Sequence, residues 1–456
     1  MDADPREARI AQLQQENTEL QRENAYLRAL VQQLAAKIED LKTLAARQAA
    51  PFRRKEQDKK PPEQHRKPGR PAGHPGTYRP LPPQIDQQIE VPLTICPHCG
   101  ADTPGLRRRE QIIEELPPIR PETTRLITYS GCCPRCGRRI ASQHPLQVSP
   151  AVGAAKVHLG PRALALAAQL SHQAGLTMRK VCDVLGTLTG LRLSPGGLSQ
   201  ALERIARKTA DWLAAEQAAL QRDPVVHSDE TSWWLGRAGA WLWIFTNPWR
   251  TIYRIEGHRN RDVVLDVLGQ QYAGVLVSDC LAVYENLPYR MHKCYAHHLK
   301  AIGEGLESLP PEQRGYLSDL QDILKGAMTL GRLREDLPRE EWARCRQGLQ
   351  QRAASLLACE RINPIEQHVR NRLLKRLGHL FTFLDDPAVE PTNNRAERGL
   401  RPAVISRKLS CGNKTARGRQ TWQTLRSLVV TCRQRQQDWA QTLRPYLLLP
   451  QPAAAR

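Results

Sequence analysis

No apolar run in this sequence approaches the roughly 20 residues that span a bilayer, and the longest, around Ala163 to Leu170, has the length of part of a soluble helix. The first residues bring Asp2, Asp4 and Glu7 in place of a basic stretch followed by an apolar one, so a secretory signal is lacking and the expected compartment is the cytoplasm. Acidic residues are scarce as well: 46 Asp and Glu stand against 67 Lys and Arg, a formal charge of +21. Such a chain repels itself unless a polyanion is its working partner, and with no membrane segment in view nucleic acid is the first candidate. Disulfides are disfavoured in that compartment, so the twelve cysteines read as metal ligands and buried thiols. At 456 residues, 40% of them hydrophobic, the chain has material for two to four structural units.

The sequence divides by pattern. Over residues 1–47, Ile10, Asn17, Asn24, Val31 and Ile38 recur at heptad position a, with Leu13, Leu20, Leu27, Leu34 and Leu41 at d. Leu at every d predicts a parallel coiled coil, hence a homodimer or higher oligomer, with the Asn pairs fixing register. An amphipathic helix docked on the chain's own core is the competing reading. Residues 48–90 are a basic, proline-rich linker in which Arg70 stands between Gly69 and Pro71. That piece either lies in an A·T-rich minor groove or is a solvated spacer.

Residues 91–150 carry CPHCG, with Cys96 and Cys99, and CPRCG, with Cys133 and Cys136. Two thiolates separated by two residues on a glycine-closed turn are how a knuckle presents sulfur to a tetrahedral ion, so a structural Zn site in a zinc ribbon is expected. Short strands are expected around Ile112, Ile113, Leu126 and Ile127. Cys132 competes with Cys133 as a ligand, and a redox pair is the weaker alternative. Residues 151–222 read as helical, with a helix from Met178 to Leu188 and a second one capped by Ser194. The spacing suits a helix-turn-helix DNA-binding segment, and equally two packed helices with no DNA role.

From residue 223 to 440 the pattern changes to strands. PVVHSDETSWWL, AWLWIFT and TIYRI predict an antiparallel meander, followed by a helix, a strand ending at Asp279, and about eighty helical residues, roughly 300–380, before PTNNRAERGLR. This order, β-β-β-α-β-α, resembles the RNase H fold. Asp229, Asp279 and Glu397 would then meet as hard oxygen ligands for two Mg²⁺ ions that support phosphoryl transfer. Glu230 competes with Asp229, but alternation turns neighbours to opposite faces. Asp385 and Asp386 compete with Glu397, although Asp before Pro reads as a turn. Cys294 and His297 read as a buried thiol beside a structural histidine. Asn393, Glu397 and Arg401 share a helix face, so that Asn393 is expected to orient phosphate and Arg401 to hold the carboxylate. From Arg398 to Gln437 there is no acidic residue, and Arg401, Arg407, Lys408, Lys414 and Arg417 are expected to meet DNA phosphates.

HSDET, SDCLAVY, CYAHHLK, PTNNRAERGLR and CGNKTARGRQTWQTLRSL together closely resemble transposases of the insertion-sequence-sixty-six family, a branch of the Asp-Asp-Glu transposases, over nearly the whole chain. The resemblance implies Asp229, Asp279 and Glu397 as the metal-binding triad, with Asn393, Asn394 and Arg398 as motif neighbours. It also implies a helical insertion between Asp279 and Glu397. Cys280 stands where many members have Gly. The expected whole is a multidomain α+β protein: coiled coil, zinc ribbon, helical segment, RNase H-like α/β catalytic domain with a helical insertion, and a tail at 441–456. Its expected partners are double-stranded DNA at element ends and target. A non-catalytic zinc-and-zipper DNA-binding regulator and a nuclease without strand joining are the alternatives.

Overall fold

A computed structural model of the protein describes residues 15–18, 20–21, 73, 79–149 and 157–448. The chain divides into two units, Met1–Ile112 and Ile113–Arg456. In the first, residues 15–18 and 20–21 are helical, and the rest of the expected zipper lies outside the described residues, as does Arg70. The first knuckle is a tight turn in which the Gly100 N–H donates to the Cys96 carbonyl at 2.9 Å and the Cys96 N–H to that of Ala101 at 2.8 Å. Gly100 takes φ +73°, a conformation that only glycine adopts at little cost.

The second unit opens with a small antiparallel hairpin, β1 (Ser130–Cys132) and β2 (Arg139–Ala141), that flanks the second knuckle. The expected strands around Ile112, Ile113, Leu126 and Ile127 do not form: these residues are irregular, and Ile113 and Ile127 are exposed. Apolar alternation makes a strand only where a neighbour takes up its hydrogen bonds, and here the knuckle turn selects which segments pair.

Four helices follow: α1 (Pro161–His172), α2 (Met178–Thr189), α3 (Pro195–Lys208) and α4 (Ala210–Leu220). Gly190, at φ +75°, ends α2, and the Ser194 hydroxyl caps α3 by accepting from the Gly197 N–H at 3.1 Å. Next come β3 (Val225–Leu235), β4 (Ala238–Thr246), β5 (Thr251–Glu256), α5 (Asp262–Leu268), β6 (Val275–Ser278) and β7 (Arg290–Lys293). They build a five-stranded mixed sheet of order β5-β4-β3-β6-β7. β3, β4 and β5 are antiparallel, whereas β6 and β7 run parallel to β3.

A helical block, α6 (Tyr295–Ser308), α7 (Gly315–Arg332), α8 (Arg339–Ala358), α9 (Pro364–Leu374) and the short α10 (Leu377–Leu380) and α11 (Thr382–Asp385), then intervenes. Its core of Leu317, Leu324, Leu357, Leu373 and Phe383 continues to Val225, Val275 and Val277 of the sheet. The chain closes with α12 (Asn394–Ser410), α13 (Ala416–Gln434) and α14 (Trp439–Leu447).

Alternation along the strands sends Val226, Trp243 and Phe245 to a layer shared with α5, and Leu242, Ile244, Tyr253 and Ile255 to a layer shared with α12 and Trp422 of α13. The helices α1–α3 do not close a core by themselves. Val181, Leu185, Leu198 and Leu202 pack with Leu425, Leu428 and Val429 of α13 and Trp439 and Leu443 of α14. The divisions expected at residues 222 and 441 therefore run through one shared core, and residues 439–447 are a packed helix, because the apolar side of α14 supplies what α1–α3 lack. No described helix is long and apolar enough to cross a membrane.

Candidate active site

β3 and β6 pair in parallel up to His227 opposite Val277. Asp229 and Asp279 each lie two residues beyond that last pair, so the register brings them side by side. Asp229 is not at the end of its strand: β3 continues as a partner of β4, with Asp229 opposite Ile244. It lies where β3 has lost its β6 neighbour and one edge is open. Asp279 leaves β6 in a turn in which its carboxylate accepts from the Leu281 N–H at 2.9 Å.

Glu397 stands in the first turn of α12, and the anchor of that turn is Asn393. Fully buried, the Asn393 side chain donates to the Ser228 carbonyl at 2.8 Å and meets His227 Nδ1 at 3.2 Å, while its backbone N–H donates to Cys294 Sγ at 3.1 Å. Two residues past Glu397, Gly399 lets α12 approach the sheet so closely that a Cβ there would clash with Ile244. The Tyr253 hydroxyl donates to the Gly399 carbonyl at 2.8 Å. Asn393 is thus a strut between helix and strand, and its buried amide is not turned toward phosphate as expected.

The electrostatics show what this converges on. The carboxyl of Asp229 is pushed up to about 8, first by burial, then by the charges of Glu230, Asp279 and Glu397, against a lowering hydrogen bond from the Glu230 N–H. Among the described residues, no ion pair joins Asp229 to a basic side chain. Glu230 is treated differently. It is buried on the opposite face of β3, accepting from the Tyr284 hydroxyl at 2.6 Å and from Arg259 Nε at 3.1 Å. Arg259 in turn lies 4.3 Å over the Trp241 ring. Burial still raises Glu230, while Tyr284 and Arg259 lower it. Asp385 has Arg290 and Arg346 as ion-pair partners, and Asp386 caps a turn by accepting from the Ala388 N–H at 2.9 Å.

Lys293, at the end of β7, went unnoticed in the sequence. Its buried ammonium donates to Ser278 Oγ at 3.0 Å and to the Tyr284 carbonyl at 3.3 Å, and burial brings it down to about 8. A lysine ending the short pattern RMHK was its only sequence signal. Cys280, beside Asp279, meets His298 at 3.5 Å.

The basic stretch divides into two sets. Asn394, Arg398, Arg401, Lys408, Lys414 and Arg417 are exposed. Arg407 is half-buried and donates to Ser232 Oγ at 2.7 Å. Arg419 pairs with Glu256 at 3.2 Å, Arg435 forks onto Glu216 and the buried Arg426 holds the His172 carbonyl. Among the described residues, no ion pair joins Arg401 to Glu397. The segment CGNKT docks on the β3–β4 hairpin: the Asn413 N–H donates to the Trp234 carbonyl at 2.9 Å and the Gly236 N–H to the Asn413 carbonyl at 2.8 Å. Gly412, at φ +79°, leaves no room for a side chain against Trp234.

In the first knuckle, the backbone N–H groups of His98 and Cys99 hold the Cys96 thiol below its ordinary value. In the second, those of Cys136 and Arg135 do the same for Cys133. Cys132 ends strand β1, outside the turn that Cys133 and Gly137 close.

The sequence from residue 156 to 421 matches the model of a family described as "Transposase IS66 family". An uncharacterized protein, y4qI, of Sinorhizobium fredii is 27% identical over 226 residues, which cover 42% of this chain and 40% of that protein. The family match takes in α1 through the start of α13, and with it Asp229, Asp279 and Glu397 together with the strands and helix that carry them. This chain belongs to the IS66 family of transposases.

Proposed function

We propose that this protein cuts and joins DNA at the ends of its insertion sequence by metal-dependent phosphoryl transfer, with Asp229, Asp279 and Glu397 holding two Mg²⁺ ions. One observation carries the reading: the charges of Glu230, Asp279 and Glu397 converge on the Asp229 carboxyl and, with burial, push it up to about 8. A cluster of hard carboxylate oxygens fits divalent magnesium, which prefers carboxylate and water. The sheet order and the origin of the three acids, from β3, the end of β6 and α12 beyond a helical block, support an RNase H-like catalytic domain. When bound, the ions supply activation of the attacking oxygen and stabilisation of the leaving one.

The residues of the chain set the geometry for that chemistry. Asn393 and Gly399 fix the first turn of α12 against β3 and β4, which sets the reach of Glu397. Arg259 and Tyr284 hold the Glu230 carboxylate on the other face of β3. Arg398, Arg401, Lys408, Lys414 and Arg417 provide positive charge for the phosphates of double-stranded DNA. In the first step water attacks the phosphorus at the element end and the 3′ oxygen departs as a hydroxyl. In the second that hydroxyl attacks a phosphorus of the target and releases a target 3′ hydroxyl, so one phosphodiester is made for each one broken. The heptad over residues 1–47 supports a homodimer, and each CPxCG knuckle is read as a thiolate pair for structural zinc.

The test is Mg²⁺-dependent cleavage and joining of element-end DNA by the full chain. Asp229→Asn, Asp279→Asn and Glu397→Gln should each abolish both reactions and leave DNA binding within a few-fold of wild type. Cleavage at near wild-type rate in Glu397→Gln would overturn the triad.

A further inference from the structure

Glu397 also belongs to a second set of ligand atoms. Cys294 immediately precedes α6 and His297 stands in its first turn, so their spacing of three residues puts both on one side of that helix start. Glu397 belongs to the first turn of α12, and the two helix starts are joined: the Asn393 N–H donates to Cys294 Sγ at 3.1 Å, and the Tyr295 N–H to the Pro391 carbonyl at 3.0 Å. One ligand atom each from Cys294, His297 and Glu397 lies within 4.8 Å of the others, the only such trio among the described residues. His297 Nδ1 is shielded from water and has no hydrogen-bond partner.

We propose that Cys294, His297 and Glu397 form a site for one thiophilic divalent cation of the zinc or cobalt class, which shares Glu397 with the carboxylate cluster. One sulfur, one nitrogen and one oxygen are the donors such a cation takes, whereas Mg²⁺ favours neither thiolate nor imidazole. Three protein ligands leave a fourth position for water, and the charges of a thiolate and a carboxylate balance the ion. Donors around a tetrahedral ion lie roughly 3.5 Å apart, so the trio needs to close by at most about 1 Å. Cys294 is fixed by burial, but His297 and Glu397 are half-exposed and have side-chain freedom to close. The Asn393 N–H already donates to the sulfur, as an outer-shell donor does in a thiolate site. Binding releases the thiol proton to solvent. Because both sites draw on the one Glu397 carboxylate, its engagement by the thiophilic ion weakens its hold on the magnesium cluster. That consequence rests on the role proposed for Glu397 above, and the site itself does not.

The experiment is equilibrium dialysis of the reduced, metal-stripped full chain against Co²⁺, with bound metal counted by elemental analysis and thiolate-to-cobalt absorption recorded in the near ultraviolet. Wild type should hold one equivalent more than Cys294→Ser, His297→Asn and Glu397→Gln, with affinity at this site falling by more than the ten- to hundredfold that loss of an outer-shell partner costs. Cobalt held by the CPxCG knuckles is common to all four proteins and cancels in the difference. Circular dichroism establishes that the variants fold, and His297→Asn changes only a half-exposed side chain. Equal stoichiometry in wild type, Cys294→Ser and His297→Asn would overturn the site. Retention of the extra equivalent by Glu397→Gln alone would overturn the sharing. If the triad variants cut DNA normally while the stoichiometric difference persists, the catalytic assignment falls and this site stands.

Discussion

Asp229 and Glu230 are neighbours on one strand and live in opposite electrostatic worlds. Glu230 is buried and Asp229 half-buried; Glu230 has Arg259 and Tyr284 in hydrogen-bond contact, whereas the charges that act most strongly on Asp229 are those of Glu230, Asp279 and Glu397. A buried acid with its own cation is part of the architecture. A half-buried acid beside other carboxylates, with no ion pair among the described residues, is suited to a cation from outside, and strand alternation is what separates the two roles by a single residue.

The largest expected effect tests that separation directly. Asp229→Asn should lower Mg²⁺-dependent cleavage by at least about a thousandfold, the scale of losing several kcal/mol of metal-borne stabilisation. Glu230→Gln should keep cleavage within about tenfold of wild type, measured on the same DNA. Equal losses in the two variants would erase the comparison.

Stability should move the other way. Glu230→Gln weakens a buried, charge-assisted contact and should cost about 1–3 kcal/mol in denaturant unfolding. Asp229→Asn removes a repelled carboxylate and should raise the stability of the metal-free protein by on the order of 2 kcal/mol at pH 8. The sign follows from a folded value raised from 3.8 to about 8. The group favours the folded state at low pH, and that contribution is lost as pH rises through about 8. A destabilised Asp229→Asn protein under these conditions would contradict the picture of uncompensated charge.

Proton competition gives a smaller, graded effect. Mg²⁺ needs the ionised form of Asp229, so its affinity should rise by up to about tenfold per pH unit below pH 8 and level off above it. Isothermal titration in buffers of different ionisation enthalpy should register proton release at pH 7 and little at pH 9. Affinity independent of pH from 6 to 8 would speak against Asp229 as a ligand.

The smallest effects separate the two sets of arginines in the same way. Arg401→Ala or Arg417→Ala should reduce the salt slope of DNA binding by about one and leave the melting temperature unchanged. Arg435→Ala, which leaves Glu216 with Arg250 at 3.6 Å as its remaining ion-pair partner, should lower stability by about 1–3 kcal/mol with the slope intact. The reverse assignment in either measurement would mean that exposure is a poor guide to which arginines face DNA.

Much of the local architecture was legible. The turn residues of α2 and α3, Gly190 and Ser194, act through their own backbone neighbourhood, and the meander follows from alternation that any reader of period two can see. The helical block between β7 and α12 was visible as some eighty residues of helical pattern. The strands expected near Ile112 and Leu126 failed because pairing depends on a partner, not on the segment alone. The same limit hid the work of the buried groups. Arg419, Arg426 and Arg435 find Glu256, His172 and Glu216 more than 160 residues away in sequence. The absence of acids from Arg398 to Gln437 therefore gave no sign that part of that stretch is internal wiring. Asn393 was placed correctly on the helix with Glu397, but its contacts with His227 and Ser228 cross the same distance, and it read as a phosphate ligand for want of them.

The shared core of α1–α3 with α13 and α14 bears on how the protein is made. The first helices leave the ribosome with Val181, Leu185 and Leu198 uncovered, and the residues that cover them, Leu428 and Leu443 among them, are synthesised more than 200 positions later. At roughly 5–20 residues per second that is an interval of about 10–45 s in which the early helices must be shielded or remain unpacked. Only a chain extended through α14 can close this core, so a product truncated before α13 would keep its early helices exposed.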